Sequence, residues 1–296
     1  MSVIDEIERE LAEATERLLA TAARLTDEDL RAPSLLPGWT RGHVLAHIAR
    51  NADSCVNLLE WARTGVRIPQ YASARAREAG IEAGAARPAA EQLADLRDSA
   101  ERFAAAAGRM PAEAWTAPVS GMTPPEHPAW YVPIRRLREV EVHHADLGAG
   151  YGWADWPETY VRRELYDTML WLGSESPVSE VVAREPGTGE VVRIWTGLGE
   201  GPVVEGTPRE LLAWLAGRTD GAGLRLLGSP QARPAHDVPE AHLRHDHLGA
   251  RPRHDHLGAR LRHDAAGGLP TPPAWPKPSP AGLPSEPPSS WPPTAY

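Results

Sequence analysis

Apolar residues at the start of the chain recur at helical spacing. Ile4, Ile7, Leu11, Ala14, Leu18, Ala22 and Leu25 fall three or four apart, which predicts an amphipathic helix with one apolar stripe. Thr26-Asp27-Glu28-Asp29 reads as the cap of a short second helix. Pro37-Gly38 breaks the pattern, and Thr40 is placed to cap a long helix reaching about Arg63, with Val44, Ile48, Cys55 and Leu58 on its buried side. After a loop, Leu93, Leu96, Ala100, Phe103 and Ala107 mark a third long helix. A Pro-rich crossover from Pro111 to Pro128 leads to a fourth, about Val132 to Leu147, closed by Gly148. Four long helices joined by at least one long connection predict a helix bundle over residues 1–150.

The pattern changes near Tyr151. Asp155-Trp156-Pro157-Glu158 opens a helix carrying Val161, Leu165, Met169 and Leu172. Val178–Arg184 and Glu190–Thr196 flank Glu185-Pro-Gly-Thr-Gly189, a hairpin signal. Thr207-Pro208-Arg209-Glu210 is a capping box with Pro at the first helical position, opening a helix that Gly217 ends, and Gly223–Leu227 reads as one more strand. Residues 151–229 therefore predict a small α+β domain, and the whole a mainly α protein with an α+β addition. Beyond it, residues 230–296 hold half of the 30 prolines and most of the 12 histidines. RHDHLGAR occurs at 244–251 and again at 253–260, with a truncated RHD at 262–264. Too poor in apolar periodicity to offset the entropy of ordering, this tail is expected to be mostly disordered, and its Trp275 and Trp291 carry no assignable role.

Composition narrows the function. A net charge of −9 disfavours nonspecific binding to nucleic acid. No stretch approaches the ~18 apolar residues of a membrane span, and the acidic start, MSVIDEIEREL, lacks the positive-then-apolar order of a secretory signal. The lone Cys55 excludes an internal disulfide framework and a cysteine-built zinc site, so a cytoplasmic location is expected. The basic residues are arginine except for Lys277, and the only asparagines are Asn51 and Asn57, a bias that reads as the imprint of a GC-rich genome.

Two constellations carry chemistry. Glu139 and His143 lie four apart on one face of the fourth helix, and His47 shares a side of its helix with Val44, Ile48 and Asn51. Taken singly, these read as a surface Glu–His pair and a buried structural histidine. Together they offer nitrogen, oxygen and nitrogen donors on two helices, a set that suits zinc or another divalent metal and leaves coordination positions open, as catalytic sites do. His43, one turn before His47, and His144, beside His143, are alternatives that spacing does not separate. Cys55 lies two turns past His47 and reads as core filler sooner than as a nucleophile. The His-Asp-His triplets of the tail could bind transition metals with low specificity, but a repeat expansion explains them more simply.

Leu36-Pro37-Gly38-Trp39-Thr40-Arg41, His43-Val44-Leu45-Ala46-His47 and Arg138-Glu139-Val140-Glu141-Val142-His143-His144-Ala145-Asp146-Leu147 together resemble the mycothiol-dependent maleylpyruvate isomerase family, whose first domain is a DinB-like four-helix bundle. The resemblance extends to the stretch from Val204 to Arg218, which looks like that family's C-terminal segment ending in Gly-Arg, and so covers residues 1–228. It implies a metal triad of His47, Glu139 and His143, an activity-linked Arg218, and mycothiol as cofactor. Mycothiol is the small thiol of actinobacteria, in keeping with the GC-rich composition. Taken alone, Arg218 equally reads as a last-turn arginine answering a helix dipole. The implied activity is a metal-assisted thiolate adding to a small electrophile, as in isomerisation of maleylpyruvate to fumarylpyruvate. The alternatives are a mycothiol S-transferase and a non-catalytic metal-binding bundle protein. The expected partners are small molecules, not nucleic acid or membrane.

Overall fold

The computed structural model describes residues 2–172, 176–227, 242–243, 269–271, 280 and 282–293. They fall into two compact units, residues 2–156 with 283–293, and residues 157–282.

In the first unit, α1 (Val3–Ala22), α3 (Arg41–Thr64), α5 (Ala89–Ala107) and α6 (Val132–Asp146) pack around a common core, α1 against α5 and α6, and α3 against the same two. Ile7, Leu11, Ala14 and Leu18 of α1 are buried, the stripe expected from their spacing. The short α2 (Asp27–Arg31) is capped by Thr26, and α3 by Thr40, whose Oγ1 accepts from the His43 amide. One helix was not expected. Ala74–Ala85, in the stretch read as a loop, forms α4 and packs on α3. Ile81 is its one large buried side chain, too little for an apolar stripe, and small residues bring the helix close to α3. A Cβ on Gly84 would stand 2.7 Å from that of Ala46, and one on Gly42 2.9 Å from the Ala85 carbonyl.

The Pro-rich crossover holds a two-residue ribbon, β1 (Pro118–Val119) antiparallel to β2 (His127–Pro128), before α6. Helix α6 buries charge on a scale its sequence would not suggest: Arg136, Arg138, Glu141, His143, His144 and Asp146 are all buried. Each needs a partner. Glu141 accepts from Arg17 Nη2 (2.6 Å) and Tyr151 OH (2.5 Å), and His144 Nε2 meets Thr21 Oγ1 at 2.8 Å.

The second unit follows the expected order, with α7 (Glu158–Trp171), the β3–β4 hairpin (Glu180–Arg184, Val191–Trp195), α8 (Pro208–Leu215) and β6 (Arg225–Leu227). Two strands were not anticipated. β5 (Val203–Gly206) lies parallel to β3, and β7 (His242–Leu243) parallel to β4, giving the order β6-β5-β3-β4-β7. Trp214 of α8 and Leu165 of α7 are buried with Val181 and Val204 of the sheet in one core.

The RHDHLGAR repeats and Trp275 lie outside the described residues. Trp291 does not. It is buried in the first unit, its ring 5.4 Å from that of Trp130, and Trp130 Nε1 donates to the Pro284 carbonyl at 3.0 Å. From the stretch 283–293, Trp291 thus joins the bundle's core.

Candidate metal centre

Helices α3 and α6 run antiparallel, tied at two levels. Arg41, in the first turn of α3, donates to the carbonyls of Leu147 (2.8 Å) and Gly148 (3.1 Å) just past α6. Arg136 of α6 donates through Nη1 to the Ile48 carbonyl (2.8 Å) and to Asn51 Oδ1 (2.9 Å) on α3. Between these ties stand His47, Glu139 and His143.

Glu139 Oε2 lies 2.9 Å from His47 Nε2 and 3.3 Å from His143 Nε2, and the two imidazoles meet edge to face with centroids 4.6 Å apart. One donor atom from each residue lies within 4.8 Å of the others. The imidazoles are 5% and 10% exposed but the Glu139 side chain 20%, so the cluster has a side open to a ligand. Burial pushes His47 down to about 4, against its contact with Glu139, so its imidazole is neutral at neutral pH. Burial also opposes charge on His143, but Asp146 and Glu139 outweigh it and raise the pKa. The two imidazoles likewise overcome burial to hold Glu139 well below the usual carboxylate range.

Two residues that spacing did not single out orient this cluster. Asp146 Oδ2 accepts from His143 Nδ1 at 2.8 Å, turning Nε2 toward Glu139, the arrangement that outer carboxylates give metal-bound histidines. Arg77 of α4 places Nη2 3.3 Å from His47 Nδ1. A guanidinium only donates, so Nδ1 accepts and the His47 proton sits on Nε2, facing Glu139. Trp39 packs its edge on the His47 ring, centroids 5.5 Å apart, at the end of a loop turned by Gly38 with φ +80°. The donor set fits a divalent ion. It offers two imidazoles and one ionised carboxylate, converging and largely shielded from water, with an exposed edge.

Residues 11–148 match the mycothiol maleylpyruvate isomerase N-terminal domain. Among solved structures, the crystal structure of the mycothiol-dependent maleylpyruvate isomerase superposes with a TM-score of 0.65 at 26% identity, covering 75% of this chain and 92% of that one. In this domain and in its fold the chain is thus similar to the mycothiol-dependent maleylpyruvate isomerase. A histidine-to-alanine mutant of that isomerase is as similar, with a TM-score of 0.66 and the same identity and coverage. No curated protein sequence matches.

In this chain the alternative ligands stand apart from the cluster. His43 bonds Thr40 Oγ1 through Nδ1 (2.7 Å) and faces Glu82 through Nε2 (3.3 Å). His144 stacks on Tyr151 with centroids 3.8 Å apart. Cys55 is buried with Sγ 3.8 Å from Asn51 Oδ1, and burial pushes its thiol pKa up, away from the thiolate a nucleophile needs. Arg218 belongs to the second unit. It follows Gly217, which closes α8 at φ +70°, and its Nη1 donates to the Ala216 carbonyl at 2.5 Å.

Proposed function

We propose that the chain is a metal-dependent enzyme that activates mycothiol at His47, Glu139 and His143 and directs it at a small unsaturated acid of the maleylpyruvate type. The observation that carries this reading is the convergence of two buried imidazoles and one ionised carboxylate with one side exposed. A divalent ion there would lower the pKa of an external thiol, ordinarily ~8.5, so that thiolate is available at neutral pH.

The chain's own groups do the rest. His47 is already neutral, and a shift of its proton from Nε2 to Nδ1 would free the Nε2 lone pair for the ion. Glu139 supplies the negative charge, and Asp146 holds the proton of His143 on Nδ1 so that Nε2 faces inward. In the isomerisation, the thiolate sulfur would bond to one alkene carbon, the π pair moving onto the oxygen of the ketone attached to the alkene as an enolate. The former double bond, now single, rotates; the pair returns, the carbon–sulfur bond breaks, and the trans acid leaves with the thiol restored. No atom is gained or lost. Anionic substrate and enolate both call for a cation. Arg77 brings one to the cluster, and Arg218 is the further candidate for a bidentate carboxylate clamp.

Purified protein, treated with chelator and reloaded, is expected to hold one tight equivalent of zinc that His47→Ala loses, and to isomerise maleylpyruvate only with mycothiol. For Arg218→Ala we expect activity lost and metal retained. Tight metal binding with conjugation of a generic electrophile, but no isomerisation, would make the protein an S-transferase. Absence of a tight equivalent would remove the proposed enzyme altogether.

A further inference from the structure

A cavity stands apart from the metal cluster. It lies between α1 and α5, where the bundle is least closed, and measures about 570 Å³, within the usual range for small-molecule sites. Leu11 and Phe103 line its deep part with alanines from both helices, among them Ala107, while the exposed Glu16, Glu101 and Arg97 stand at its mouth beside the half-buried Glu8.

One lining residue comes from neither helix. Arg136 reaches in from α6 and is 2% exposed. Its Nη1 is occupied by the Ile48 carbonyl and Asn51 Oδ1. Among the described residues, nothing bonds its Nε or Nη2, and no carboxylate comes within ion-pair distance. Glu139, one turn along α6, is engaged with two imidazoles. A guanidinium taken out of water without an ion-pair partner is costly to the fold, and burial outweighs the more distant charges of Glu139 and Asp53. The edge left over, Nε–H with Nη2–H, is the pair of parallel donors that takes a carboxylate in bidentate fashion.

We propose that this cavity binds a monocarboxylate with an apolar body, its head group on Arg136 and its body against Leu11 and Phe103. The glutamates at the mouth disfavour a second negative charge there, so the ligand class differs from the dianionic substrate of the metal site.

Octanoate is the probe, titrated calorimetrically into the full-length protein after metal removal. Saturable one-to-one binding is expected, with octanol and the eight-carbon diacid suberate each at least tenfold weaker. Arg136→Lys, which keeps the charge but not the paired edge, is expected to weaken octanoate about tenfold. Because Arg136 also supports α3, Ala104→Trp serves as the second variant. It fills the mouth from an exposed position and is expected to block octanoate while leaving the urea midpoint unchanged. No saturable binding to the metal-free protein, equal binding of octanol, or octanoate binding untouched by Ala104→Trp would each overturn the proposal.

Discussion

A neutral imidazole is a ligand and an imidazolium is not, so the protons around His47 and His143 decide how the cluster behaves. Replacing Asp146 by Asn removes the charge that orients His143, and zinc affinity is expected to fall about ten- to hundredfold, measured by competition with a chromophoric chelator. Arg77 acts in the opposite sense. An ion on His47 Nε2 would leave the imidazole proton on Nδ1, facing a guanidinium that can only donate. Metal and Arg77 therefore compete for the tautomer, and Arg77→Gln is expected to tighten zinc several-fold in the same assay while lowering turnover. His144, away from the cluster, sets an acid limit. Burial, reinforced by Arg17 and Arg24, pushes it down to about 4 from an unfolded value near 6.5. Between those pH values the unfolded chain takes up a proton that the folded one refuses. Stability is thus full above pH ~6.5 and falls as pH drops toward 4, by about 3 kcal/mol for this group. His144→Gln is expected to flatten the pH dependence of the urea midpoint across that range. Of these residues, Glu139 and His143 could be read from their four-residue interval, and Asp146 was open to the same helical arithmetic three positions on. Arg77 was not, because nothing in the linear pattern marked the helix that carries it.

At the level of elements, long amphipathic helices announced themselves and α4 did not. Its contact with α3 depends on the absence of side chains at Gly84 and Gly42, and periodicity methods weigh apolar bulk. Gly84→Ala puts a methyl 2.7 Å from the Ala46 Cβ, one residue before His47. The cost of such overpacking is roughly 1–3 kcal/mol, and helix propensity recovers only about 1 of it. A net loss in the urea midpoint, with weakened coupling of Arg77 to His47, is the expected result. The strand β5 escaped for another reason. Val203-Val204-Glu205-Gly206 is only four residues long, and Glu205 interrupts its apolar run, yet that glutamate is buried between Arg184 and Arg225.

On the scale of the whole molecule, composition led to an expectation of a mostly disordered tail from residue 230, with no role assigned to Trp291, which is core. An isolated aromatic in a Pro-rich stretch has no periodicity to read; its role depends on Trp130, more than 150 positions earlier. Trp291→Ala is expected to cost about 3–5 kcal/mol, as for other buried large-to-small changes. Scanning calorimetry should show this in the transition of the first unit, with the second little changed.

The course of the chain has an outcome for biosynthesis. Helices α1 to α6 emerge from the ribosome first, but the ring that covers Trp130 is translated only after the entire second unit. The nascent bundle therefore waits, with an indole uncovered, until its closing piece arrives, and a ribosome stalled within the histidine repeats would leave a protein whose oldest part is still unfinished.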